Sequence, residues 1–334
     1  MEKIDRSEWL YQKKWGVFMH FLHQPAGSAD ALKAKGADFV YDVSDPGKLT
    51  PWEEKINNFD VDHFAAQLNE IGAGWCGVTI MQLSRYMIAP NATFDKYTGY
   101  KPGEACSRID FIDRLIKALD KYDIGLMLYF TGDGPSRDPK AKAALQTWDD
   151  DERVIHPDFV EKWSNVVKEY SLRYGDKVKA WWHDGMWIGY KDKPELLKMY
   201  ADAFRAGNPD AAIATNIDSC IDQGNAELVL NPRRGAKYDD FTAGEVVKLG
   251  ALPYHPFMDG CGARWHILTF LGAEGASEVE GWGTKGCKYK PGWLFDYVDE
   301  VHKRGGIITF DIHYEPDGTI DPDQMRALRL LKTL

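Results

Sequence analysis

Apolar residues along the chain fall into short continuous runs separated by amphipathic stretches. The run at 14–22 (KWGVFMHFL) suits a buried strand. The stretch 61–73 (VDHFAAQLNEIGA) has helical periodicity, with Asp60 placed to cap it. Strand-like runs follow at 75–83 and 124–130, around an amphipathic helix at 108–123. A long helix at 157–175 opens on Pro157 and leads into a run at 178–185, and another helix begins at Pro194. Further strand-like runs lie at 211–217, 226–231, 252–259 and 306–314, with helices at 292–306 and 321–334.

Eight strand-like runs, mostly alternating with helices, predict a single (β/α)8 barrel over residues 1–334, distorted in its less regular second half. Continuous rather than alternating apolar runs fit parallel strands covered on both faces. A doubly wound open sheet is the alternative. It is disfavoured because no G-x-G-x-x-G follows the first run and no phosphate loop is present. In a barrel, the polar residues that end the runs converge on one mouth: His20, Gln82, Tyr129, Asp184, Asn216, Asn231 and Asp259.

The net charge of −10, with no long basic run, argues against binding a phosphate backbone. No apolar stretch approaches the roughly 20 residues that span a bilayer, and the first residues lack a secretory core, so a cytoplasmic location is expected. Five cysteines without a C-x-x-C pair read as free thiols. His20 and His23 have no third ligand at a sensible spacing, so neither a metal nor another cofactor is expected.

The chemistry concentrates in WWHDGMW, residues 181–187. Asp184 among tryptophans fits a glycosidic nucleophile, or else a carboxylate bonded to a loop backbone or an arginine. Alternation along a strand turns His183 away from the face of Asp184. A second carboxylate would come from NPRRGAKYDDFTAGE (231–245): Asp239, Asp240 or Glu245. Glu245 is equally readable as a first-turn acid of a helix. Trp187, Trp265 and Trp282 are stacking platforms or plain packing, and 43 aromatic residues leave both open. His255, His266 and Asp259 are candidate rim contacts. Arg85 and Arg264 are candidate readers of an anionic group, or solvated surface residues.

Several of these segments together resemble the α-L-fucosidases of glycoside hydrolase family 29, in the same order. KKWGVFMHF resembles that family's first strand, AWWHDGMW its Trp-Phe-Asp-Gly segment, NPRRG its Asn-Asp-Arg-Trp-Gly segment, and DDFTAGE the segment carrying its acid/base. The resemblance extends to EVHKRGGIITFDIHYEPDGTI at the closing strand; no counterpart of the family's usual C-terminal β-sandwich is expected. It implies a retaining exo-glycosidase with Asp184 as nucleophile and Glu245 as acid/base. His20, Gln82, Tyr129, Trp182 and Arg233 would hold the sugar. The family's His-His pair after the second strand is replaced by Gln82 and Leu83, which leaves fucose or a different sugar open. The expected partner is a small carbohydrate or glycoconjugate, with no nucleic acid and no membrane. Self-association into a homo-oligomer stays open, as does a non-catalytic carbohydrate-binding role or a metal-dependent hydrolase.

Overall fold

The computed structural model describes residues 4–23, 40–147, 155–186, 190, 193–217, 235–274 and 281–334. Helix α1 (Glu8–Lys13) leads into β1 (Trp15–Met19); α2 (Pro51–Asn58) and α3 (Val61–Ile71) precede β2 (Trp75–Thr79). Then come α4 (Ala92–Thr98), α5 (Phe111–Leu119), β3 (Gly125–Thr131), α6 (Pro139–Leu145), α7 (Pro157–Tyr174) and β4 (Val178–Asp184). The remainder is α8 (Pro194–Phe204), β5 (Ala212–Thr215), β6 (His266–Phe270), α9 (Pro291–Lys303), β7 (Ile307–Asp311) and α10 (Pro322–Leu328).

Among the described residues seven parallel strands pair in the order β5-β4-β3-β2-β1-β7-β6. The gap between β5 and β6 is filled by Asp240–Val246, which forms isolated bridges rather than a ladder. Asp240 N–H donates to Ile213 O of β5 (2.8 Å), and Arg264 N–H to Asp240 O (2.8 Å). Further along, Leu268 N–H donates to Gly244 O and Val246 N–H to Leu268 O, both at 2.9 Å. The ring is therefore a distorted (β/α)8 barrel whose eighth stave is irregular.

Two apolar layers hold it. Phe18, Trp75, Met127, Tyr129, Trp182, Phe241 and Leu268 fill the barrel interior, and Leu10 of α1 joins them. A larger layer between strands and helices includes Val17, Val78, Leu128, Trp181, Ile213 and Ile308. Neighbouring strand residues thus face opposite layers, as a pleated strand buried on both sides requires. Helix starts follow the expected chemistry. Asp60 accepts from Asp62 N–H and His63 N–H, and Pro157 occupies the first turn of α7.

Two expectations for the second half need correction. The run 252–259 is not a strand; Pro253 and Pro256 lack the N–H that a ladder needs. It packs at the N-terminal ends of the strands, with Pro256 O accepting from Trp265 N–H. Residues 266–270, not anticipated from the sequence, form β6 in its place. The run 226–231 lies outside the described residues.

Candidate functional site

Asp184 is the last residue of β4 and remains partly open at the C-terminal mouth of the barrel. The glycine after it is required. Gly185 has φ 64°, and a Cβ there would meet Asp133 Oδ2 and Thr131 Oγ1 at 2.5 Å. This turn fixes how the strand leaves the barrel and so where the carboxylate points. Tyr129 OH donates to Asp184 Oδ2 at 2.5 Å. Burial first, then the Asp184 charge, raise the Tyr129 phenol well above its usual range, so it stays a donor.

Glu245 reaches the same spot from the irregular stave. It follows Gly244, whose φ is 64° and whose added Cβ would lie 1.8 Å from His266 O. Chain 244–250 forms no helix, so the alternative of a first-turn acid falls away. Asp239 and Asp240 are committed elsewhere. Asp239 accepts from Thr215 Oγ1 and Ala236 N–H, both at 2.7 Å. Asp240 takes Ile213 N–H at 3.0 Å and pairs with Arg205.

One amide joins the two carboxylates. Asn216 Nδ2, just past β5, donates to Asp184 Oδ1 (2.9 Å) and to Glu245 Oε2 (2.6 Å). Those two bonds laid end to end limit the oxygens to about 5.5 Å apart. With the amide's two N–H directions about 120° apart the separation is about 4.8 Å. Burial, then the Asp184 charge, push Glu245 up to about 7, against the opposing pull of Asn216 and His20. The geometry thus sets a protonatable carboxyl beside a second carboxylate held by two donors.

His20 follows β1, and its Nδ1 lies 2.8 Å from Asp311 Oδ1 at the end of β7. Burial lowers its basicity, but the Asp311 charge and hydrogen bond, aided by Asp184 and Glu245, outweigh it and the net shift is upward. Trp282 stands edge-on to His20 at 5.8 Å and to Phe270 at 5.0 Å, and is partly exposed.

The other expected residues divide clearly. Trp182 is 2% exposed, donates Nε1–H to Ala243 O, and stacks on Tyr129 at 5.6 Å, so it supports the site from beneath. Gln82 lies partly exposed in the bend after β2, and among the described residues no hydrogen bond joins it to the carboxylate pair. Arg233, Trp187 and Asn231 lie outside the described residues. His183 faces the outer layer against Tyr200 (4.4 Å), where burial lowers it to about 3. His23 turns to Tyr41 OH and stacks on Tyr86, away from His20. Among the described residues no group of three or more candidate ligands could hold a metal.

Five expectations are overturned. Arg85 is buried, held by Asp138 (2.8 Å) and Tyr100 OH (3.0 Å). Arg264 is buried at the closed end of the barrel against Asp5, Glu8 and Ser7. His266 is buried between Thr242 O and Thr309 Oγ1. His255 and Asp259 are exposed in the segment at the strands' N-terminal ends, opposite the mouth. Trp265 is plain packing at 3% exposure. Asp311 was not singled out in the sequence. Its only signal was a carboxylate inside the last apolar run.

No protein-family model and no curated protein matches the sequence. Solved structures do. The endo-fucoidan hydrolase P5AFcnA of glycoside hydrolase family 107 is 15% identical with a TM-score of 0.68, over 99% of this chain and 93% of that one. Another family 107 endo-fucoidan hydrolase, MfFcnA4, is 16% identical with a TM-score of 0.66. It matches 98% of this chain, which spans only 53% of its length. An α-L-fucosidase of family 29 from Bacteroides thetaiotaomicron, trapped as a covalent intermediate with 2-fluoro-fucosyl fluoride, is 16% identical with a TM-score of 0.61, over 99% of this chain and 74% of that one. This barrel is a fold shared by glycoside hydrolases of families 29 and 107. No helix among the described residues is long and apolar enough to cross a membrane.

Proposed function

We propose that the protein is a retaining glycosidase acting on α-L-fucosides or a closely related glycoside. The observation that carries this reading is the pair of carboxylates on one amide. Retaining enzymes place their carboxyl groups about 5–5.5 Å apart, whereas inverting enzymes leave about 6.5–9.5 Å for a water. The limit of about 5.5 Å that Asn216 sets between the two bridged oxygens supports the first class.

In the first step Asp184 Oδ attacks the anomeric carbon, the bond from that carbon to the aglycone oxygen breaks, and Glu245 gives that oxygen its proton. In the second step Glu245 takes a proton from water, whose oxygen attacks the same carbon and releases Asp184. A carboxyl raised to about 7 suits the first donation near neutral pH. Tyr129 disperses charge on Asp184, and His20 and Trp282 line the place for the sugar. Arg233 and Gln82 are the proposed remaining contacts. No cofactor enters the scheme.

The test is turnover of aryl α-L-fucosides. Asp184→Ala abolishes it, and azide restores release of the aryl group with a glycosyl azide of the opposite anomeric configuration. Glu245→Ala with azide gives the retained configuration. Near wild-type turnover by Asp184→Ala ends the assignment. A second reading, cleavage within a fucose-containing polymer, is favoured by the higher TM-score of the family 107 comparison. Product length from a fucan separates the two.

A further inference from the structure

Asp311 is 1% exposed and uses both carboxylate oxygens on different parts of the mouth. Oδ1 meets His20 Nδ1 at 2.8 Å. Oδ2 accepts from Gly283 N–H at 2.5 Å. Gly283 O in turn lies 2.8 Å from His313 Nδ1, two residues beyond Asp311 on the chain leaving β7. The turn carrying Trp282 is therefore gripped from both sides by one short stretch.

The chemistry of an ionised carboxylate fixes the imidazole. Opposite Oδ1, the His20 Nδ1 carries the proton, so the neutral ring presents its Nε2 lone pair to the cleft. The groups facing the ring are Asp311 from β7, Asp184 from β4, Glu245 from the eighth stave, Phe18 from β1 at 5.0 Å, and Trp282. An asparagine at 311 cannot replace this carboxylate. It has one acceptor oxygen, so it serves either His20 or Gly283, and it brings no charge.

We infer that Asp311 is a positioning residue that sets the tautomer of His20 and, through Gly283, the placement of Trp282, so that imidazole and indole meet one sugar as a unit. The part that concerns sugar rests on the glycosidase reading; the part that concerns His20 does not.

The experiment uses the full chain labelled with 15N-histidine, with His20→Gln identifying the His20 signals. Neutral wild-type His20 is expected to carry its proton on Nδ1. Asp311→Asn is expected to lower its titration midpoint by about one pH unit or more. Calorimetric affinity for a fucose-configured iminocyclitol falls about tenfold in Asp311→Asn and in His20→Gln, and the double variant loses no more than the worse single. An unchanged midpoint in folded Asp311→Asn overturns the inference, and so do losses that simply add. A wild-type neutral tautomer protonated on Nε2 overturns it without any variant. If the wild-type chain neither binds that probe nor hydrolyses a fucoside, the glycosidase reading fails, and the histidine spectrum still decides the role of Asp311.

Discussion

Replacing Asn216 with alanine removes the one amide that donates to both carboxylates. At about 5 Å and an effective dielectric of about 20, two full charges repel by about 3 kcal/mol, or a little over two pH units. Burial first, then that repulsion, raise Glu245 to about 7 against the opposing pull of Asn216 and His20. A hydrogen bond to a charged group is worth about 1.5–3 kcal/mol, and one of the two N–H groups of the amide is directed at Glu245, so its loss disfavours the ionised form by about that much. Water entering the vacated space returns part of it. Asn216→Ala is therefore expected to raise the Glu245 midpoint by about 0.5–1 unit. Because the proposed mechanism needs Glu245 protonated as the acid, the alkaline limb of kcat/KM is expected to move up by the same amount. The assay is a pH profile on an aryl fucoside, paired with a 13C carboxyl titration that requires no turnover. A limb and a carboxyl midpoint that stay put, or move down, refute the reasoning.

Glu245 also predicts a stability effect. Its folded midpoint lies above its unfolded value, so its ionisation opposes folding; stability falls as pH rises from the unfolded midpoint, about 4.5, towards about 7. Glu245→Gln is expected to be more stable than wild type above pH 7, on the order of 1–3 kcal/mol, with the gap closing near pH 4.5 in urea melts. Gly244→Ala puts a methyl 1.8 Å from His266 O in a left-handed conformation, and is expected to lose activity and at least about 2 kcal/mol of stability, read by turnover and thermal melts. Asp138→Ala strips Arg85 of its carboxylate, Tyr100 of its acceptor and α6 of its cap; a loss of about 3–5 kcal/mol is expected, with the titration of the Asp184–Glu245 pair unaltered.

The parallel strands of the first half were legible because each is a continuous apolar run ended by a polar residue at the mouth. Asp184 was legible for the same reason, at the end of the run 178–185. By residue chemistry alone Glu245 could not be told from Asp239 and Asp240; only the resemblance to family 29 pointed to it ahead of the fold. Which of the three faces the mouth depends on Gly244 and on bridges to residues more than twenty positions later. Strand β6 escaped notice because five residues are a weak signal beside the proline-containing run before it. Asp311 was hidden because its partner His20 is 291 residues away, and a carboxylate within an apolar run announces burial, not a partner. Arg85 and Arg264 show the converse: their charges suggested a ligand, and their burial serves the scaffold.

The irregular stave has a thermal consequence. Asp184 stands on a strand bonded along its length to two neighbours, whereas Glu245 hangs from a seam stitched by a few separate hydrogen bonds. On warming, that seam parts first, so the amides of Phe241–Val246 are expected to exchange with deuterium ahead of those in β1–β4. The proposed proton donation by Glu245 would then fail while the circular dichroism of the molecule is still that of the native barrel.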